Sequence, residues 1–325
     1  MKFGFIGYGK FAKLREECLQ ASEIADVNIV GYFDPHSNDQ SLKKFNDIKE
    51  LLGEVDAILI SVPPRLAPEY VQMSLKAGKD VFCEKPAAVT VSNLNMIDKA
   101  LIQNNILAYG FNHRVHKSIL IIKEIIDSNK LGSVLWMRGR YGKEVDAKYS
   151  STWRCNKNLN GGGILIDQGI HMVDLMLHLV GDFDGAQAVL SSNYLNVDGV
   201  EDNGFITLFS TKQKITASIH TTITQWRYIF SLEIFLEKGS IVLNGLRTKS
   251  GNYGDEILTI KPNSENELAL NYSEERFEEN LSWQSEIDAF LISCKDRTAY
   301  PYAGIDDALK TTSLIDLIYK EAKWL

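Results

Sequence analysis

Two short stretches carry side chains whose types and spacing suit proton transfer. In the first, the apolar run Val81-Phe82-Cys83 ends abruptly in Glu84-Lys85-Pro86. It reads as a buried strand that Pro86 stops, because proline has no N–H to continue a ladder. Charged residues at the carboxyl end of a buried strand stand where open α/β sheets bind ligands, although a solvated turn would read the same way. In the second, Gly161-Gly162-Gly163 precedes an apolar helix bearing Asp167, His171, Asp174 and His178. These fall at i, i+4, i+7 and i+11, one face of a helix that is otherwise apolar nearly all round and therefore buried. A polar stripe there must be satisfied, since burying an unpaired polar group costs roughly 1–3 kcal/mol or more. Three readings compete: His171 as a hydrogen-bonded core histidine, a metal site, and an acid–base pair in which Asp167 orients or proton-couples His171. Asp-x-x-x-His without a second nearby histidine is a poor zinc pattern, so no metal is expected.

The elements ahead of these stretches create a demand for such a pair. Lys2 to Ile6 reads as a strand, followed by Gly7-Tyr8-Gly9-Lys10-Phe11-Ala12 and a helix to about Ile24. In this G-x-G-x-x-A turn Gly7 allows the tight bend, Gly9 admits a pyrophosphate, and Ala12 permits close helix–strand packing. Lys10 and Phe11, at the helix start, are further candidate cofactor contacts. The next strand, Val27 to Phe33, ends in Asp34, which lies 22 residues beyond Ala12. That is near the spacing of about 20 expected for the acid on an adenosine ribose. Pro35-His36-Ser37 offer no Arg or Lys for a 2′-phosphate, so NAD is favoured over NADP. A third strand, Val55 to Val62, is a near-continuous apolar run, as in a parallel sheet covered on both faces. Ser61 and Pro63 at its end join Glu84 and Lys85 as candidate cofactor residues, with Glu84 read either as a cofactor contact or as a structural anchor.

A helix over Ala67 to Ala77, the strand before Glu84, a helix from Thr90 or Ser92 to about Asn105 and a strand over Ile106 to Phe111 continue the alternation. The expected fold is a doubly wound α/β sheet. Near Asn112 the rhythm changes. A helix over Val115 to Ser128 and a strand over Val134 to Tyr141 precede the glycine run. Strands follow at 186–194, 203–209, 214–221, 229–236 and 240–244, with period-two alternation, then a polar irregular stretch of hairpins and a long loop over 246–280 and helices at 282–294 and 304–323. This reads as an α+β domain with a largely antiparallel open sheet. The expected domains are 1–114 and 115–325, with the last helix able to return to the first.

Composition narrows the partners. The chain has 325 residues, 45% hydrophobic and 24% charged, enough for two domains of ordinary size. A net charge of −7 argues against nucleic acid or an anionic membrane as main partner, though not against an anionic small ligand. No apolar stretch is expected to span a membrane, and no signal peptide is read at the start. Four scattered cysteines without zinc spacing suggest reduced thiols in the cytoplasm.

Taken in order, G-x-G-x-x-A, Asp34, Glu84-Lys85-Pro86 and Gly-Gly-Gly-x-x-x-Asp-x-Gly-x-His-x-x-Asp resemble the glucose–fructose oxidoreductase / inositol dehydrogenase / MocA family over most of the chain. The resemblance implies an N-terminal Rossmann domain and a C-terminal domain whose open sheet mediates homodimers or homotetramers. It implies that Lys85 lies near the nicotinamide and the substrate hydroxyl, and that Asp167 and His171 form an acid–base pair. Trp153-Arg154 resembles the Trp-Arg of members acting on sugars, and Asn112 is a further candidate substrate contact. Lys157 and Asn160 offer a cation and an amide nearby. One departure is visible: many relatives carry Pro-Asn-x-x-His after the third strand, where this chain has Pro63-Pro64-Arg65-Leu66-Ala67. The implied reaction is NAD-dependent hydride transfer on a sugar, polyol or nucleotide-linked sugar. An NAD-dependent glycosidase working by transient oxidation would use the same residues. A non-catalytic dinucleotide or sugar sensor could dispense with Lys85 and His171.

Overall fold

The protein is described by a computed structural model covering residues 1–97, 103, 105–146, 148–248, 253–263 and 272–325. It folds as two compact units, the first formed by Met1–Asn112 with Leu281–Thr312, the second by His113–Asn280 with Ser313–Leu325.

In the first unit the strands are β1 (Lys2–Ile6), β2 (Asn28–Phe33), β3 (Lys44–Phe45), β4 (Ala57–Ile60), β5 (Asp80–Glu84) and β6 (Leu107–Gly110). They form a parallel sheet in the order β3-β2-β1-β4-β5-β6, which reverses direction of growth beside β1. β1, β4 and β5 are buried almost throughout, as the continuous apolar runs require. The helices are α1 (Lys10–Ala21), α2 (Ile48–Glu54), α3 (Ala67–Lys76) and α4 (Val91–Leu94). Short β3 and α2 lie where no element is expected. The helix expected to reach Asn105 falls partly outside the described residues.

The first boundary falls at 112–113, beside the expected 114, and two more follow at 280–281 and 312–313. Residues 281–312 return to the first unit because Ile287, Phe290, Leu291 and Cys294 share one core with Phe3, Phe5, Leu19 and Phe82.

The second unit holds α5 (Lys117–Asp127) and a nine-stranded sheet: β7 (Val134–Gly142), β8 (Gly185–Ser191), β9 (Asn203–Ser210), β10 (Ile215–Thr222), β11 (Ile229–Leu236), β12 (Gly239–Asn244), β13 (Glu256–Pro262), β14 (Ser273–Phe277) and β15 (Ala322–Trp324). Its order is β14-β13-β12-β11-β7-β10-β9-β8-β15, antiparallel except for β10–β7 and β15–β8. β13 and β14 pair antiparallel within the stretch expected to hold hairpins. β15 ends the chain where a helix is expected. Inward residues such as Met137, Ala217, Ile219 and Leu232 are buried, while Trp136, Arg138, Val189 and Phe205 on the other face are exposed. Helices α6 (Lys157–Asn160) and α7 (Ile170–Val180) flank a π-helical turn at Leu165–Gly169. Contrary to expectation, Lys157–Val180 has the length and composition of a membrane span, but 78% of its apolar window is buried within the protein, as in a core helix. The last helices are α8 (Ser282–Asp296) and α9 (Ile305–Glu321).

Candidate active site

The glycine turn of the first unit sits at the carboxyl ends of β1 and β4. Gly7 has φ +80°, and a side chain there would collide with the Ser61 carbonyl, so the close approach of these two strand ends requires glycine. A Cβ on Gly9 would meet nothing within 4 Å. Helix α1 starts at Lys10 with no side-chain cap and no acid in its first turn, which leaves its N–H end suited to a phosphate. Asp34 accepts the Tyr8 N–H at 2.8 Å on one oxygen and the N–H groups of His36 and Ser37 at 2.7 and 3.1 Å on the other. A carboxylate has about four acceptor positions, so one remains for a ribose hydroxyl. These features fit a dinucleotide. Tyr8 itself is buried and stacked on Tyr32 at 4.4 Å, with its phenol pushed up to about 12 by burial and then by its bond to Glu16. Phe11 lies parallel to Trp283, with ring centroids 5.9 Å apart.

Lys85 directly follows the last residue of β5 and is half-buried beside buried Pro86, Ala87 and Ala88. Glu84 has an arginine partner. Its carboxylate accepts from Arg15 Nε at 2.7 Å, and Arg15 Nη2 donates to Glu286 at 2.6 Å. The guanidinium is held between the rings of Phe82 and Trp283, 4.5 and 4.2 Å from their centroids. Asn112, expected to touch substrate, is buried and donates to Ser282 Oγ at 3.1 Å.

In the second unit, Asp167 lies on the π-helical turn and His171 at the start of α7, both buried. Such turns recur at functional sites because they re-aim side chains within a helix. Asp167 accepts from Lys143 Nζ at 2.9 Å, Tyr149 at 3.2 Å and Arg154 Nε at 3.3 Å. Burial and then the Asp167 charge raise the Tyr149 phenol. Arg154 also covers the Trp153 ring at 4.5 Å, so the Trp-Arg pair and Asp167 do come together. The His171 ring stacks on His113, with centroids 3.8 Å apart and planes 18° apart.

Other members of the polar stripe have structural work. Asp174 forms a buried two-point pair with Arg114 at 2.7 and 2.8 Å. Asn160 donates to the carbonyls of Arg154 and Gly162, and so braces the turn. The glycine run packs where a Cβ on Gly162 would strike the Tyr319 hydroxyl and one on Gly163 the Glu201 backbone. Glu201 accepts from the N–H groups of Gly163 and Leu165 at 2.9 and 2.8 Å and from Tyr319 at 2.9 Å.

Sequence reasoning passed over Arg15, His113, Lys143, Tyr149 and Glu201. Arg15 had a signal, since it shares the Ala12, Cys18 and Leu19 face of α1. Lys143 and Tyr149, in the connection between β7 and α6 that also carries Arg154, had none. Among the described residues, no group of three or more His, Cys, Asp or Glu is placed to hold a metal ion.

The first unit therefore has the build of a dinucleotide-binding domain. Residues 1–111 match the oxidoreductase family with an NAD-binding Rossmann fold, and residues 119–242 match the GFO/IDH/MocA C-terminal domain. The chain belongs to the GFO/IDH/MocA family, and its first domain is an NAD-binding Rossmann domain. It is 32% identical over 142 residues to levoglucosan dehydrogenase of Pseudarthrobacter phenanthrenivorans, covering 43% of this chain and 36% of that relative. It is 24% identical to myo-inositol 2-dehydrogenase of Thermotoga maritima, covering 94% and 92%. A solved levoglucosan dehydrogenase in complex with NADH and levoglucosan shares the fold, with TM-score 0.84, 19% identity and coverage of 99% of this chain and 96% of that one.

Proposed function

We propose that this chain is an NAD-dependent dehydrogenase that interconverts a secondary alcohol and ketone on a sugar, polyol or nucleotide-linked sugar. The observation that carries the proposal is Asp167 one turn from His171, both buried, with Arg154 on that carboxylate and over the Trp153 ring. Bound NAD supplies the hydride acceptor at C4 of its nicotinamide. His171 takes the hydroxyl proton on its imidazole, a group suited to proton transfer; such transfer contributes about 10²–10⁴ in rate. Asp167 stabilises the resulting imidazolium, and Lys85 stabilises developing alkoxide charge. Trp153 offers a sugar a stacking face and Arg154 a cation. The family membership and the names of the relatives support the reaction class. Asp34, with no cation in Pro35-His36-Ser37, supports NAD over NADP.

The exposed sheet face bearing Trp136, Val189 and Phe205 supports a homodimer or homotetramer. Four buried cysteines outside any disulfide support a reducing, cytoplasmic setting. The test is a screen of sugars, inositols and nucleotide sugars with NAD, read as NADH absorbance. On the substrate found, Lys85→Ala, His171→Ala and Asp167→Ala should each lower kcat by about 10²-fold or more. Near-normal turnover in all three sinks the mechanism. Cleavage of a chromogenic glycoside with no net NADH would favour the glycosidase.

A further inference from the structure

His113, in the 3₁₀ turn Asn112–Val115, is buried and lies face to face with His171. Two imidazolium rings at 3.8 Å would repel, so the stack accommodates one extra proton at most. Donor accounting says which ring takes it. A hydrogen bond joins Tyr253 to Tyr141, their rings 5.1 Å apart, and burial raises both phenols. With Tyr253 as the donor of that bond, the one O–H of Tyr141 is left for His113 Nε2, 3.0 Å away. His113 is then the neutral tautomer with its proton on Nδ1. Charging it would mean protonating Nε2 against the Tyr141 hydroxyl.

The other groups around the pair leave this assignment standing. Asp167, one turn back on the same helix, favours charge on His171, and its partners Lys143 and Arg154 oppose it. Asp174 is matched by Arg114, and His116, its ring 5.8 Å from that of His113, is matched by Glu256 at 3.0 Å.

We propose that His113 is a positioning residue for His171: a neutral ring, locked by the Tyr253–Tyr141 relay, that fixes the His171 plane and stabilises its protonated form through its π face. This deepens the reading of His171 as the base and rests on it. The test is imidazole ¹⁵N–¹H NMR of the full chain across pH. The chain has six histidines, and His171 is assigned by its loss in His171→Asn. Cation–π stabilisation of this kind corresponds to roughly half to one pH unit. The His171 midpoint should fall by that amount in His113→Leu and recover to within a few tenths in His113→Phe, which keeps the ring face. In Tyr141→Phe, His113 Nε2 should lose its accepted proton and the ring should begin to titrate.

An unchanged His171 midpoint in His113→Leu, or a wild-type His113 that protonates before His171, overturns the proposal. If His113→Leu does not fold, Tyr141→Phe decides: a His113 ring indifferent to it overturns the relay. These midpoints do not depend on turnover. A His171→Asn protein that keeps full activity would sink the catalytic reading and leave the stack intact.

Discussion

Glu84 in the first unit and Asp167 in the second both stand close in sequence to a candidate acid–base residue, and both are ion-paired. Their settings carry opposite charge. Glu84 and Glu286 both pair with Arg15, so these three groups, when ionised, carry one negative charge. Asp167 pairs with Lys143 and Arg154, so these three groups carry one positive charge. Their enclosure differs as well. The Arg15 side chain is 1% exposed, against 12% for Lys143 and 25% for Arg154. The guanidinium of the first cluster is enclosed, with Glu84 itself 11% exposed, and it fixes the end of β5, from which Lys85 projects. The second is partly open, so a ligand can reach it and change its balance. An acid adjoining a reactive residue is thus not by itself part of the chemistry; the surroundings of its carboxylate assign it.

The largest effect expected from this contrast is at Arg15. Arg15→Met keeps most of the volume but leaves Glu84 and Glu286 buried without their cation. Breaking a buried pair in this way costs about 3–5 kcal/mol, read as a lower urea midpoint. Arg15→Lys should recover only part of it, since one ammonium cannot repeat the guanidinium fork between two carboxylates. Lys143→Met should cost only about 1–2 kcal/mol, because Arg154 and Tyr149 still hold Asp167, and should show more in turnover. Equal losses of stability at Arg15 and Lys143 would erase the distinction.

Glu201 sharpens the comparison with an acid whose partners are two N–H groups and a phenol. Burial pushes its carboxyl up to about 7 from the usual 4.5, against the pull of those donors. The folded state therefore binds the proton more tightly than the unfolded chain. The stability so gained is complete below pH 4.5 and is lost as pH rises through 7. The difference corresponds to about 3 kcal/mol. In Glu201→Gln this fall should vanish, and the unfolding free energy of wild type relative to the variant should decline across that window. A difference flat with pH would show that the donors hold the carboxylate charged throughout.

The positions of strands and the cofactor turn were legible because each rests on a local pattern. The continuous apolar runs of β4 and β5, the alternation in β7 to β11, and Gly7-x-Gly9 ahead of a helix are short-range signals. The return of α8 to the first unit was not legible, since it depends on Phe290 meeting Phe82 across some 200 residues of chain. The site was read by residue type more than by partner. Asp167 and His171 stood out as polar groups in an apolar helix. The π-helical turn between them left no mark in the spacing, and His113 came from a turn that read only as a change of rhythm. The partner of Glu84 was not legible, because a strand end states where a side chain starts, not which cation it meets.

The smallest effect expected is at Arg138, the exposed counterpart of Arg15. It makes the same kind of pair, with Nη2 at 2.6 Å from Glu233, but its side chain is 53% exposed on the open sheet face. Solvent screens such a pair, so Arg138→Ala should cost about 0.5 kcal/mol in the same urea series. The contrast with Arg15 would then come from enclosure, since both are arginine–glutamate contacts of similar length. A loss above about 2 kcal/mol would mean that water does not reach this face in solution. A second copy seated on Trp136, Val189 and Phe205 would exclude it, and the loss would then shrink as the protein is diluted below the dissociation constant of that assembly.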